Sequence, residues 1–204
     1  MTATADSRDL SRKDRILAVA VREFAAKGFA AVRVDEIAQL ADCNKALIYY
    51  HFGSKEGLYN AVFETLIPAV QQFWDLASQT TVANWFEMSA EWARRSDTVP
   101  WSRLMVMEGL DDRGPGSVPL EEERIESLRH QTELVVRAQQ RGELDPALDP
   151  EMMSLTFTLW PLLPRIFPQF VRMVTGYGPD DPEFAARMQQ FISDVITRLR
   201  APEN

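Results

Sequence analysis

The sequence predicts an all-α protein of about nine helices, a small three-helix domain at residues 1–54 followed by a larger helical domain at residues 55–204. Three observations carry this. Apolar residues recur at spacings of three and four near both ends, in Ile16, Leu17, Ala20, Val21 and Phe24 and again in Phe184, Met188, Phe191, Val195 and Leu199. The triplet Asp-Pro-Glu occurs at 149–151 and 181–183, each time offering an N-cap, a proline at the first helical position and an acid in the first turn. Between residues 34 and 59, VDEIAQLADCNKALIYYHFGSKEGLY reads as two short helices, a tight turn, and the start of a third helix.

In chain order, residues 1–10 are small and polar and read as a loose tail, with Arg8 within reach of a polyanion. Ser11 and Asp14 form a capping box, and the helix they open should end near Gly28, with Phe29 adding to the core. Val34, Ile37, Ala38 and Ala41 give the next helix an apolar side, opposite Asp35, Glu36 and Gln39. Asp42, Cys43 and Asn44 break the pattern. Asn44 caps a short helix from Lys45 that Gly53 and Ser54 end, and Ser54 caps the next, with Glu56 in its first turn.

Two short helices joined by a three-residue turn make a helix-turn-helix, whose second helix enters the DNA major groove and meets base edges with its first residues. Leu47, Ile48 and Phe52 are spaced to anchor that helix inward, which leaves Lys45, Ala46, Tyr49, Tyr50 and His51 outward. An amine, two phenols and an imidazole on one short face suit phosphates and bases better than they suit a structural helix.

At KALIYYHFGSKEGLY the chain resembles the recognition helix and following segment of the TetR family of bacterial transcriptional regulators, and through ILAVAVREFAAKGFAAVRVDEIAQLA the resemblance covers roughly Arg12 to Val62. It implies DNA binding by Lys45, Ala46, Tyr49, Tyr50, His51 and Lys55. Three positions depart from the family's pattern. Asp42 stands where the turn usually has glycine, and Asp tolerates a left-handed backbone. Val32 and Arg33 replace small polar residues, which weakens the cap and makes Arg33 a phosphate contact. Ala46 keeps the close approach to the groove that a small residue allows.

The helix from Lys55 should run through Leu58, Val62 and Leu66 to about Ser78, kinked by the interior Pro68. From there the composition turns aromatic and sulfur-rich. Trp74, Trp85, Phe86, Met88, Trp92, Trp101, Met105 and Met107, with Trp160 further on, make an expected apolar cavity lining. Arg103, Glu108, His130 and Arg165 are its candidate polar anchors. A helix from Trp101 to Leu110 precedes the loop DDRGPGSVP, and a long helix from Leu120 to Arg141 stops at Gly142. The helix after Asp149 carries Pro161, Pro164 and Pro168 and so must be bent or interrupted. On the last helix, the stripe Phe184, Met188, Phe191, Val195 and Leu199 needs cover, and the resemblance implies that the last two helices pair with their copies in a second subunit.

With 46% hydrophobic and 25% charged residues, the chain can bury one or two ordinary cores and does not read as disordered. The longest uncharged run, Met152 to Pro164, is too short to cross a bilayer, so no membrane partner and a cytoplasmic location are expected. One cysteine excludes an internal disulfide framework, and with two histidines it leaves little for a zinc site. No metal or other cofactor is expected. The net charge of −8 is unusual for a DNA-binding protein, but its distribution is uneven. Residues 1–60 hold nine Lys+Arg against eight Asp+Glu, and the other 144 hold 13 against 22. All four lysines lie in the first 55 residues, where Arg8, Arg12, Lys13, Arg15, Lys45 and Lys55 can form a local basic face.

The expectation is therefore a homodimeric repressor with three partners: double-stranded operator DNA, a second copy of itself, and a small apolar or aromatic effector that releases the DNA. The alternative is an all-α carrier or enzyme acting on small hydrophobic molecules. No Gly-rich phosphate loop, metal-ligand spacing, or Ser, His and Asp set supports the enzyme. A redox role for Cys43 is a third idea, and its position in the turn favours a small core residue.

Overall fold

The computed structural model describes residues 11–65, 67–94, 99–111, 114, 116 and 118–200, at positions 86, 90, 92–94, 99 and 100 by backbone alone. The expected tail with Arg8, and the expected lining side chains of Phe86 and Trp92, lie outside the described residues. The helices are α1 (Arg12–Ala31), α2 (Val34–Leu40), α3 (Lys45–Phe52), α4 (Lys55–Glu64), α5 (Ile67–Ser78), α6 (Val82–Arg94), α7 (Val99–Leu110), α8 (Glu121–Gln140), α9 (Pro150–Leu159), α10 (Leu163–Ile166), α11 (Pro168–Thr175) and α12 (Pro182–Arg198). A single 3₁₀ turn, Trp160–Leu162, joins α9 to α10.

Proline explains why the expected nine helices become twelve α-helical segments among the described residues. The helix expected from Lys55 to Ser78 is not kinked at Pro68 but divided, since α4 ends at Glu64 and Pro68 sits in the first turn of α5. There the missing N–H has no intrahelical acceptor to lose. Pro161, Pro164 and Pro168 likewise take the first positions of the 3₁₀ turn, α10 and α11.

The chain forms two compact units, one holding the residues up to Ile67 with Arg103–Leu120, the other Pro68–Ser102 with the residues from Glu121 onward. This differs from the boundary expected at residues 54 and 55. α4 joins the first unit because it buries Leu58, Tyr59, Val62 and Phe63. The Tyr59 ring meets Phe24 of α1 edge-on at 4.8 Å and Phe63 at 5.0 Å between centroids.

In the first unit, α1 packs on α2 and α4, and α3 packs on α2 and α4. Ile16, Ala20 and Phe24 are fully buried, as the apolar stripe requires. α1 leaves helical geometry at Gly28, where φ is 75° and ψ 167°, and turns once more to Ala31. The turn carries Phe29 to 4.9 Å from the Tyr59 ring. The second half of α7 closes this unit, with Arg103 Nε donating to the Ala25 carbonyl at 3.2 Å.

The second unit is built around Trp74, Val82, Trp85, Leu134, Val135, Leu144, Phe157, Ile192 and Ile196. Trp85 Nε1 donates to the Ala77 carbonyl at 2.7 Å, which satisfies the one polar atom of a buried indole. Gln131 on α8 is fully buried and doubly partnered. Its amide donates to the Ser154 carbonyl at 3.1 Å and its oxygen accepts from Thr158 Oγ1 at 2.9 Å, which ties α8 to α9. Glu143 Oε2 accepts from the Val82 amide at 2.9 Å and caps α6.

The stripe on α12 is largely covered within its own unit. Phe184, Ile192 and Ile196 are buried, and Met188 and Leu199 pack against the same core, while Val195 is half-buried and Phe191 remains 53% exposed. The buried row runs through 184, 188, 192 and 196, and each step of four rotates it by about 40° around the helix, so it moves off the side that carries Phe191. Among the described residues, no helix is long and apolar enough to cross a membrane.

Candidate nucleic-acid interface

The turn between α2 and α3 forms as its residue types require. Asp42 has φ 52°, the left-handed conformation in which the family usually places glycine, and the Cys43 amide donates to the Ala38 carbonyl at 2.9 Å. Asn44 Oδ1 accepts from the Leu47 amide at 2.8 Å and caps α3. Arg33 stands at the N-cap of α2 in extended backbone and makes no side-chain cap, which leaves an exposed guanidinium.

α3 is anchored on one side. Ile48 is fully buried and Leu47 and Phe52 are half-buried. On the other side Lys45 and Ala46 are exposed, Tyr49 is 41% exposed and Tyr50 82%. His51 is half-buried, its ring edge-on to Tyr50 at 5.2 Å. α3 ends where Gly53, with φ 74°, donates its amide to the Tyr49 carbonyl at 2.8 Å. Ser54 Oγ then accepts from the Gly57 amide at 3.0 Å and caps α4. The Glu56 carboxyl is held below its ordinary value by its own backbone amide and by the Ser54 hydroxyl. Gly57 fits because α3 ends directly against it: a Cβ there would run into the carbonyl oxygen of Phe52.

The lysines are held by internal partners. Lys45 Nζ lies 2.9 Å from Asp35 Oδ2 on α2 and 5.9 Å from the Tyr49 ring centroid. Its hydrogen bond to Asp35 raises the amine above its ordinary value. Lys55 Nζ rests 4.6 Å over the Phe29 ring and donates to the Ala30 carbonyl at 3.3 Å. Lys13 Nζ sits 5.9 Å over the Phe52 ring. Lys27 is spent between Glu23 at 2.7 Å and Glu36 at 2.8 Å, which hold it above its ordinary value. The role of Asp35 was not legible from sequence, because a separation of ten residues across a turn has no helical period.

The residues of the expected effector lining are divided between the two units. Trp74 and Trp85 are core residues of the second unit, and Met88 packs against them. Trp101 is half-buried on α7, and Arg103, Met105 and Glu108 belong to the first unit. His130 is on the surface of α8, with Nδ1 4.0 Å from Glu133. A cavity of about 230 Å³ instead opens in the second unit between α6, the proline-broken segment and α12. Trp160 and Arg165 line it, together with Phe184 and Met188, which sequence reasoning assigned to a subunit interface. Asn84 and Glu87 on α6 also border it. Their spacing of three was the only available signal, and an exposed polar pair gives no reason to prefer a pocket.

Comparison with known proteins bears on the helix-turn-helix. Residues 16–62 match the family described as bacterial regulatory proteins, tetR family. The chain is also 30% identical over 174 residues to the HTH-type transcriptional repressor SCO4008 of Streptomyces coelicolor, across 81% of this chain and 84% of that protein. The chain belongs to the TetR family. A second relative is the HTH-type transcriptional regulator RutR of Escherichia coli, 28% identical over 197 residues, 91% of this chain and 89% of that one. Among solved structures, the ketosteroid transcriptional regulator KstR2 of Mycobacterium tuberculosis shares the fold with a TM-score of 0.71 at 17% identity, covering 98% of this chain and 100% of that one. A tetR-family regulatory protein from Rhodococcus RHA1 does so with a TM-score of 0.69 at 20% identity, covering 95% and 100%. The protein is thus a TetR-family transcriptional regulator and not an enzyme. The carrier or enzyme alternative falls with that assignment.

Proposed function

We propose that this regulator is a homodimeric repressor that leaves its operator when a small apolar or aromatic effector binds the second unit. The observation that carries the DNA half is α3 itself: Ile48 is fully buried while Tyr50, Tyr49 and Lys45 face solvent. In the complex, Lys45 reads a base edge at the head of α3 and Tyr49 meets a thymine methyl. Ala46 permits the close approach, and Arg33, Tyr50, His51 and Lys55 hold phosphates. Two copies of α3 would then read the half-sites of a pseudo-palindrome.

Support for dimerisation comes from α9, where Met152, Leu155 and Leu159 are exposed at spacings of three and four, and from Phe191 on α12. Phe184, Met188, Val195 and Leu199 then back the interface from within the subunit. The cavity beside Trp160 supports a small effector. To weaken DNA binding about 100-fold, the effector must favour the released conformation by about 2.7 kcal/mol. A dimer bound to chromosomal DNA works in the cytoplasm.

The test is a gel-shift titration with fragments of the protein's own promoter, paired with sedimentation. Salt-sensitive, sequence-specific retardation by a dimer supports the reading. Absence of specific retardation across the promoter fragments refutes it, as does a wild-type monomer. Leu155→Glu with Leu159→Glu should give monomers that no longer bind the palindrome.

A further inference from the structure

The cavity in the second unit has one charged side chain that water scarcely reaches. Arg165 of α10 lines it with its side chain 15% exposed. Among the described residues it pairs with Asp180, whose Oδ1 is 2.7 Å from Nη1 and whose side chain is 73% exposed. Trp160, Pro164, Phe184 and Met188 line the same cavity. The other polar side chains that line the cavity, Asn84 and Glu87 of α6 and Gln189 and Ser193 of α12, are exposed and belong to its mouth.

A guanidinium has five donors, and the Asp180 pair uses one edge of it. Holding a cation away from water beside apolar walls is costly unless an anion meets it. A planar carboxylate matches the remaining donors two at a time, which a neutral apolar molecule cannot do. Size sets a second limit. A cavity of roughly 150 Å³ takes up benzene, so about 230 Å³ admits one or two fused rings with a short acidic arm. The aromatic wall of Trp160 and Phe184 favours a flat body.

We propose that this cavity binds a small aromatic carboxylate, its acid group on Arg165 and its ring between Trp160 and Phe184. This narrows the apolar effector of the preceding reading and rests on it for the link to DNA release, but not for binding itself. A neutral ligand leaves the guanidinium donors that Asp180 does not use poorly matched. Glu87, in water at the mouth, selects a monoacid over a diacid by repulsion.

The experiment titrates the full-length protein with 1-naphthoate and with 1-naphthamide, following calorimetric heat and the quenching of tryptophan fluorescence. Saturable binding of the acid, at least about tenfold tighter than the amide, is the expected result. Arg165→Gln should remove that preference and Arg165→Lys should restore part of it. Equal affinity for acid and amide in the wild type overturns the proposal without any variant, as does failure of both to bind. A preference that persists in folded Arg165→Gln also overturns it. The same ligands added to the gel-shift separate the two readings. Acid that binds without releasing DNA refutes the effector role and leaves the carboxylate site standing; release by the amide alone does the reverse.

Discussion

Lys45 Nζ lies 2.9 Å from Asp35 Oδ2, so the cation at the head of the recognition helix is already paired with the helix before it. A phosphate or base edge must compete with Asp35 for that amine. The pair is exposed, and exposed pairs bind weakly, so the competition is mild but acts at the residue proposed to read a base edge. Asp35→Asn should tighten operator binding by about two- to fivefold, whereas Lys45→Ala weakens it and relaxes preference at one base position. Gel-shift titration on the operator and on single-base variants checks both.

Lys55 is held differently, over the Phe29 ring and on the Ala30 carbonyl. Both partners are neutral, so its full charge remains available to a phosphate. Lys55→Ala should weaken binding to all sequences alike and lower the slope of log affinity against log salt by about one. An unchanged slope would remove Lys55 from the interface.

Gly57 and Gly28 are both required, but for different reasons. At Gly57 a methyl group meets the backbone carbonyl of Phe52, which cannot move without shifting α3. At Gly28 it meets Met107 Cε at 2.8 Å, the far end of a flexible side chain, and the larger penalty comes from φ 75°. Gly28→Ala should cost about 1–2 kcal/mol through the left-handed backbone. Gly57→Ala should cost about 1–3 kcal/mol through overpacking and also impair DNA binding, because it displaces α3, the helix proposed to read DNA. Denaturant melts alongside gel-shifts separate the two.

Burial raises the Cys43 thiol above its ordinary value, with the nearby Arg15 opposing the rise only in part. Since the folded value lies above the unfolded one, the resulting stability is fully present below the unfolded value and is lost as pH climbs through the folded one. Wild-type protein should therefore lose more stability than Cys43→Ala above about pH 8.5. At pH 8 iodoacetamide should alkylate the native thiol more than about tenfold more slowly than the urea-unfolded one. An equally fast native reaction would reopen a redox role.

Much of the first unit was legible in the residues because its signals are local. Ser11, Asn44 and Ser54 accept the amides of Asp14, Leu47 and Gly57, three residues on, as capping requires. Asp42 takes the left-handed turn its side chain tolerates, and Ile48 faces inward. The helix starts at Asp149 and Asp181 were equally plain, although Asp181 accepts from the Gly178 amide rather than capping α12. The exposed face proposed to read DNA was visible for the same reason, since Lys45, Ala46, Tyr49, Tyr50 and His51 lie within eight residues of one helix, whereas Arg33 and Lys55 stand outside it.

The sequence by itself thus determined an all-α chain, its caps and stops, and the short second helix of the helix-turn-helix, because each depends on neighbours three or four residues apart. Tertiary structure alone decided that α4 belongs with the first unit, that Asp35 holds Lys45, and that Arg165, Trp160 and Phe184 border one cavity. These pairings join residues of different helices, and periodicity within a helix says which side is apolar but not which neighbour covers it.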